Sequence, residues 1–278
     1  METVERVETR GVVTLNQAIE RLVVSKKLCN LRPTYIKGLE AYLKQFANGR
    51  GDTPLDAFDV FSIESWLAGR EEALTTRASN IGRLSSLFSF AERRGWIVKN
   101  PCRQLERIHL EPSPPRILTV SQCETLMRWV QKHRPRAMAF VSLALFAGVR
   151  PQETERIDWS AYKDGKVVID AAASKVRRRR VVDLHDTARA WVEASKDSPL
   201  PMTGITRRRF LAAARELLGW TAWPQDVLRH TAASFLMAVH KDAGLVADWL
   251  GNSPGILLTH YRQLVSAEEA AAFWAIKP

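Results

Sequence analysis

The chain has 278 residues, of which 41 are Lys or Arg and 30 are Asp or Glu, so its formal net charge is +11. This length allows one large or two modest domains. A basic, apolar-rich chain of this kind usually binds a polyanion such as nucleic acid. The alternative is a soluble protein that is basic without binding one. Three cysteines without close spacing argue against a disulfide framework or a zinc site and suit a reducing cytosol.

No membrane association is expected. The first ten residues lack the apolar core of a signal peptide. The longest near-apolar run, Ala137 to Val149, is too short to span a bilayer and predicts a buried helix. We therefore expect a cytoplasmic protein.

Residues 12–108 are predicted to form a small domain of four helices. Thr14 and Gln17 match a capping box, which places a first helix from Thr14 to about Lys27. Apolar side chains at helical spacing predict three more helices, which run from about Arg32 to Asn48, from Asp59 to Leu67 and from about Thr75 to Arg94.

Residues 109–117 are predicted to be a linker between two domains. Three prolines in four positions, from Pro112 to Pro115, remove backbone donors and fix φ, so regular structure is excluded there. An extended, semi-rigid connection is expected.

Residues 118–278 are predicted to be mostly α with a small β-hairpin, an α+β domain. Ser121 and Glu124 match a capping box, and Val149 to Glu153 is expected to restart a helix with Pro151 in its first turn. The β-branched runs 166–170 and 180–184 predict a hairpin. Helices are also predicted at Ala137 to Gly148, Thr187 to Ala194, Arg207 to Leu218, Val227 to His240, Ala243 to Leu250 and Ser266 to Ala275.

Two arginines lie at the ends of predicted apolar helices. Arg150 follows one helix and Arg229 opens another. A guanidinium is always charged, and its planar fork of donors suits phosphate oxygens. Either arginine could instead form a structural salt bridge, with Glu153 and Asp226 as the candidate partners.

The sequence around these arginines resembles that of the tyrosine recombinases, the phage-integrase family. Three segments carry the resemblance in the family's order: Ala147-Gly-Val-Arg-Pro-Gln-Glu153, Leu228-Arg-His-Thr231 and Leu250-Gly251. Tyr261 stands at the family's spacing behind them, and residues 90–101 resemble the end of the family's N-terminal DNA-clamping domain. The resemblance implies a helical core-binding (SAM-like) domain and a catalytic domain that close around duplex DNA as a C-shaped clamp.

The resemblance also implies the chemistry. Tyr261 would attack a phosphodiester and form a 3′-phosphotyrosyl link, which conserves the bond energy, so neither a cofactor nor a metal is implied. Arg150 and Arg229 would hold the scissile phosphate. Lys175, on the hairpin turn, would be the general acid that protonates the departing 5′-oxygen; a solvated cation is the alternative.

Two positions depart from the family pattern. Asp226 stands where the family has its first histidine, and Asn252 where it has histidine or tryptophan. Each lost contact is typically worth about 10²–10³ in rate. His230 and His260 lie beside key residues, but adjacent positions on a helix point about 100° apart, which argues against a rescue.

Further arginines are predicted to contact the DNA backbone, with a solvated surface as the alternative: Arg77, Arg83, Arg177, Arg178, Arg207 and Arg208. Arg207 to Arg209 are expected in the first turn of a helix. Cations there oppose the helix dipole, so an anion such as DNA phosphate is expected to compensate.

The resemblance implies a tetramer on DNA, linked through the C-terminal helix that begins at Ser266; a helix folded back on its own domain is the alternative. The function implied is site-specific recombination or integration. Two other functions stay open. One is a non-cleaving DNA-binding protein of recombinase descent, such as a regulator or accessory subunit, and the other is a type IB topoisomerase-like enzyme.

Overall fold

The structure is a computed structural model that describes residues 12–111, 114–174, 177–261 and 265–278. The chain divides between residues 112 and 113 into two compact units. Each unit has its own hydrophobic core. Within the described ranges, no helix is long and apolar enough to cross a membrane.

The N-terminal unit contains the four helices expected from the sequence. They are α1 Leu15–Leu28, α2 Pro33–Ala47, α3 Val60–Ala68 and α4 Leu74–Arg93. Thr14 and Gln17 make both bonds of the predicted capping box, at 3.2 and 3.4 Å. The apolar faces meet around Phe46, which contacts Phe58 and Phe88.

The second unit combines helices with a small antiparallel sheet. Its helices are α5 Val120–His133, α6 Met138–Phe146, α7 Asp186–Glu193, α8 Gly204–Leu217, α9 Val227–His240, α10 Ala243–Leu250, α11 Pro254–Tyr261 and α12 Ala267–Trp274. Its strands are β1 Tyr162–Lys163, β2 Lys166–Ile169 and β3 Arg180–Asp183, in the order β1-β2-β3. The predicted hairpin is the β2–β3 pair, with Val167 opposite Val182. Strand β1 has only two residues, which is too short to show a period of two in the sequence.

Helix α6 forms the centre of the second unit, because every one of its residues is buried. It packs against α7 and α9, and Phe146 at its end contacts Trp191 and Phe273. The end of α6 therefore lies against α9, which brings the two segments that carry Arg150 and Arg229 together.

Two local predictions for this unit were wrong, and one helix was missed. The expected helix at residues 149–153 is absent, and residues 151–156 form turns in which the Thr154 hydroxyl donates to the Pro151 carbonyl at 2.7 Å, a bond that competes with helical backbone bonds. The capping box of α5 is formed by Thr119 and Gln122 rather than by Ser121 and Glu124. Helix α11 was not predicted at all.

Helix α8 begins at Gly204, with Thr203 as its N-cap, three residues earlier than expected. Arg207 therefore lies beyond the first three helical positions, and its guanidinium pairs with Glu155 at 2.9 Å. The anion expected near this arginine is thus a carboxylate of the same chain.

Helix α12 is folded onto its own unit. Phe273 stacks on Phe235 with ring centroids 4.0 Å apart, and the Trp191 Nε1–H donates to the Ile276 carbonyl at 2.7 Å. Within this chain, the apolar side of α12 is thus packed against the core of its own unit.

Candidate active site

A tight turn after α6 positions Arg150. Gly148 has φ +62°, and the Val149 N–H reaches back to the Leu143 carbonyl at 3.0 Å. Glycine adopts this left-handed conformation without steric cost. The Gly148 carbonyl also accepts a hydrogen bond from Arg229 Nη1, so the turn connects both arginines.

Gly148→Ala is expected to lower the free energy of unfolding by about 2–5 kcal/mol. The left-handed backbone costs about 1–2 kcal/mol for alanine. A Cβ at this position would also overlap the side chain of Leu250, which adds about 1–3 kcal/mol. Urea unfolding measures the loss. Gly219→Ala is the matched control, because Gly219 has φ +65° and nothing within 4 Å of its Cβ position; equal losses would contradict the crowding argument.

Three arginines converge on the carboxyl end of α10. Gly251, with φ +62°, reverses the chain there, and the Asn252 N–H bonds back to the Ala247 carbonyl at 3.0 Å. This C-terminal turn leaves three consecutive carbonyls without helical partners. Each accepts from a different arginine: Trp249 from Arg180 at 2.9 Å, Leu250 from Arg229 at 2.6 Å and Gly251 from Arg150 at 2.8 Å. The negative end of the helix dipole favours these cations.

Asn252 holds two of these guanidiniums on one atom. Its Oδ1 accepts from Arg150 Nη2 at 2.8 Å and from Arg229 Nη2 at 3.1 Å. Only the amide oxygen can accept, so these two bonds fix the orientation of the amide. The Nδ2 group consequently points away from the arginines and is oriented to donate to another acceptor.

Glu153 neutralises part of the charge. Its side chain is fully buried and accepts from Arg180 at 2.6 and 3.0 Å and from Arg150 Nη1 at 3.3 Å. Burial alone would raise the pKa of Glu153, but the hydrogen bonds and charges of Arg180 and Arg150 outweigh it and hold the pKa at about 2. The salt bridge considered for Arg150 is therefore present. Between Arg229 and Asp226, both of which the structure describes, no ion pair forms.

The cluster keeps an excess of positive charge. Arg150, Arg180 and Arg229 face one carboxylate, Glu153, so three cations and one anion leave a net charge of +2. Burial, and then repulsion by Arg150 and Arg180, lower the pKa of Arg229 to about 9, at which it is still charged at neutral pH. A pocket of about 860 Å³ opens beside the cluster and is also lined by Arg178 and Arg179. These features suit an anionic ligand.

Tyr261 completes the site as the last residue of α11. Its Oη lies 2.6 Å from Nδ1 of His230, and the residue is only 5% exposed. Burial raises the pKa of Tyr261; the charge of Arg229 lowers it, Asp226 raises it and Arg150 lowers it. The phenol therefore lies within the electrostatic range of both arginines.

The contact between His230 and Tyr261 is the opposite of what helical geometry suggested. Tyr261 approaches α9 on the side of His230, whose N–H donates to the carbonyl of the N-cap residue Asp226 at 2.8 Å. Arg229 points to another side, toward α10. The direction from which α11 packs decides this arrangement, and the sequence contains no signal for it. The side chain of His260 lies outside the described residues.

The fold was compared with solved structures; no family model and no curated protein matches this chain. A lambda integrase (75–356) dimer bound to a COC′ core site is similar, with TM-score 0.71 and 18% identity over 88% of this chain and 97% of that chain. A lambda integrase tetramer bound to a Holliday junction has a TM-score of 0.72 and 19% identity, over 89% of this chain and 78% of that chain. The Tn1549 transposon integrase (82–397) in complex with circular intermediate DNA has a TM-score of 0.67 and 14% identity, over 94% of this chain and 98% of that chain. The chain has the tyrosine recombinase fold.

In the second unit, the remaining residues predicted to act in catalysis or to contact DNA lie on the hairpin and on α8. Lys175 lies outside the described residues. Arg177 has φ 53°, and Arg178 and Arg208 are exposed. The exposure of these arginines fits the predicted contacts with a DNA backbone.

The two arginines predicted in the N-terminal unit are engaged within that unit. Arg77 donates to the Arg70 carbonyl at 3.0 Å. Arg83 donates to Asn80 at 2.9 Å, and its guanidinium lies 5.5 Å from the ring centre of Tyr42. Both side chains therefore have structural contacts besides any contact with DNA.

Proposed function

We propose that this chain cleaves and rejoins duplex DNA, with Tyr261 as the nucleophile of a 3′-phosphotyrosyl intermediate. One observation carries the proposal. Arg150 and Arg229 converge from different segments on the single oxygen Oδ1 of Asn252, and the Tyr261 phenol lies within the field of both. Two guanidiniums that share one oxygen are suited to a non-bridging oxygen of a scissile phosphate.

The reaction consists of two transesterifications. Tyr261 Oη forms a bond to phosphorus while the bond from phosphorus to the 5′-oxygen breaks. Arg150 and Arg229 stabilise the charge on the non-bridging oxygens, and Asn252 Nδ2 is oriented to donate to one of them. Lys175 supplies the proton for the departing 5′-oxygen. Attack by a 5′-hydroxyl of another strand reverses these steps and releases Tyr261.

Double-stranded DNA is the proposed substrate, and site-specific recombination or integration the proposed outcome. The net charge of +11 and the exposed Arg178 and Arg208 support binding to a DNA backbone. The similar lambda integrase structures contain dimers and tetramers on DNA, which supports assembly of several copies. If α12 links the copies, it does so by an exchange in which a neighbour's helix makes the contacts that it makes here within one chain.

A covalent-trapping experiment tests the proposal. Labelled DNA from the ends of the chain's own genetic element, nicked beside the scissile position so that the cut fragment diffuses away, is mixed with protein and denatured. A labelled adduct is expected, and protease digestion with mass spectrometry should locate the nucleotide on the peptide that contains Tyr261. Attachment to any other residue would overturn the assignment.

A DNA-binding protein without cleavage is the second candidate, and Asp226 is the observation that favours it. Its charge raises the pKa of Tyr261, and a carboxylate repels a phosphate. Binding of the same DNA without an adduct would favour this candidate. Relaxation of a supercoiled plasmid without strand exchange would instead favour a topoisomerase.

A further inference from the structure

His230 contacts the atom that would have to lose a proton in the proposed reaction. Its Nδ1 lies 2.6 Å from Tyr261 Oη, and the ring centroids are 5.8 Å apart. We propose that His230 is the general base for Tyr261. This inference rests on the proposed function and names the proton acceptor of the same site.

The position of His230 is fixed by the helix that carries it. Its N–H donates to the Asp226 carbonyl at 2.8 Å, and its carbonyl accepts from Ser234 Oγ at 3.0 Å. The residues of α9 on either side, Arg229 and Thr231, are buried. The imidazole is thus carried on rigid backbone and lies within the range required for proton transfer.

The neighbouring groups fit this role less well. Arg229 and Arg150 have no lone pair with which to accept a proton, because a guanidinium offers only donors. Asp226 is the N-cap of α9, four residues before His230, and its charge acts on Tyr261. A negative charge there stabilises an imidazolium, so the substitution at 226 has an electrostatic use once His230 carries the proton.

The proton balance is complete within the proposed reaction. Neutral His230 carries its proton on Nε2 and accepts the phenolic proton on Nδ1 as Tyr261 Oη bonds to phosphorus. The bond from phosphorus to the 5′-oxygen breaks, and Lys175 protonates that oxygen. In the rejoining step Lys175 takes back the proton of the attacking 5′-hydroxyl, and the imidazolium returns its proton to Tyr261 Oη as the phosphotyrosyl bond breaks.

His230→Asn tests this assignment, because it separates basicity from hydrogen bonding. The asparagine Oδ1 falls near the position of Nδ1 and still accepts from the Tyr261 hydroxyl, but an amide does not take up the proton. The cleavage rate is expected to fall about 10²-fold, with DNA affinity and melting temperature unchanged. His133→Asn, an exposed histidine on α5, is the control. A wild-type rate in His230→Asn would overturn the proposal and reduce His230 to a positioning contact.

A substrate with sulfur in place of the bridging 5′-oxygen separates the base from the acid. A thiolate departs without a proton, so the substrate is expected to restore cleavage in Lys175→Ala and to leave His230→Asn slow. Restored cleavage in His230→Asn would show that His230 serves the leaving group, which also overturns the proposal. If the wild-type protein forms no adduct with either substrate, the proposed function itself fails.

Discussion

Tyr261→Phe is expected to abolish the covalent adduct with DNA and to leave DNA affinity unchanged. The substitution removes only the hydroxyl that would attack phosphorus, and the ring that fills the buried end of α11 stays in place. The lost hydrogen bond to His230 costs about 1 kcal/mol of stability. Denaturing gels measure the adduct, and fluorescence anisotropy measures binding.

Tyr162→Phe is the matched control for this experiment. Its hydroxyl also makes a short hydrogen bond, 2.5 Å to Glu193, but at an exposed position. Adduct formation by Tyr162→Phe should equal that of the wild type. An adduct that persists in Tyr261→Phe would mean that another residue is the nucleophile.

Glu153→Gln is expected to lower the free energy of unfolding by about 3 kcal/mol at neutral pH. The carboxylate is fully buried between Arg180 and Arg150, and removing its charge leaves two guanidiniums without a counter-ion. Its pKa of about 2, against an ordinary 4.5, corresponds to a contribution of this size. Strand cleavage should fall as well, because Glu153 holds Arg150 in place.

The pH dependence gives this prediction a distinct signature. Since the pKa of Glu153 is depressed in the folded state, the contribution of Glu153 to the free energy of unfolding is complete above pH 4.5 and is lost as the pH falls toward about 2. The stability difference between the wild type and Glu153→Gln should shrink over that interval. Glu193→Gln, at an exposed pair with Lys196, should cost less than about 1 kcal/mol. A difference that does not change with pH would contradict the assigned pKa.

Helices with a periodic apolar face and a cap were predictable from the sequence. Helix α9 has the predicted bounds, Val227 to His240, and α1 begins behind its predicted capping box. The resemblance to the tyrosine recombinases implied that Arg150, Arg229 and Tyr261 belong to one site. Helix α11 escaped prediction because its apolar run, Ile256 to Leu258, shows no helical stripe.

The partners of the site required the three-dimensional structure. Alternation along the hairpin predicts that about half of its arginines point inward, but the register decides which ones. Arg180 pairs with Ile169, which is fully buried, so Arg180 turns toward Glu153. The contact between His230 and Tyr261 likewise depends on the side from which α11 packs against α9. No local sequence pattern encodes this tertiary contact.

The arginine cluster carries a cost that the free protein cannot relieve by itself. Three guanidiniums share one carboxylate, and their repulsion is part of what lowers the pKa of Arg229. Selection for stability alone would exchange one of these arginines for an uncharged side chain. We infer that the cluster gives up some stability before any ligand binds, and that a phosphate of the proposed DNA substrate would relieve the repulsion among the arginines.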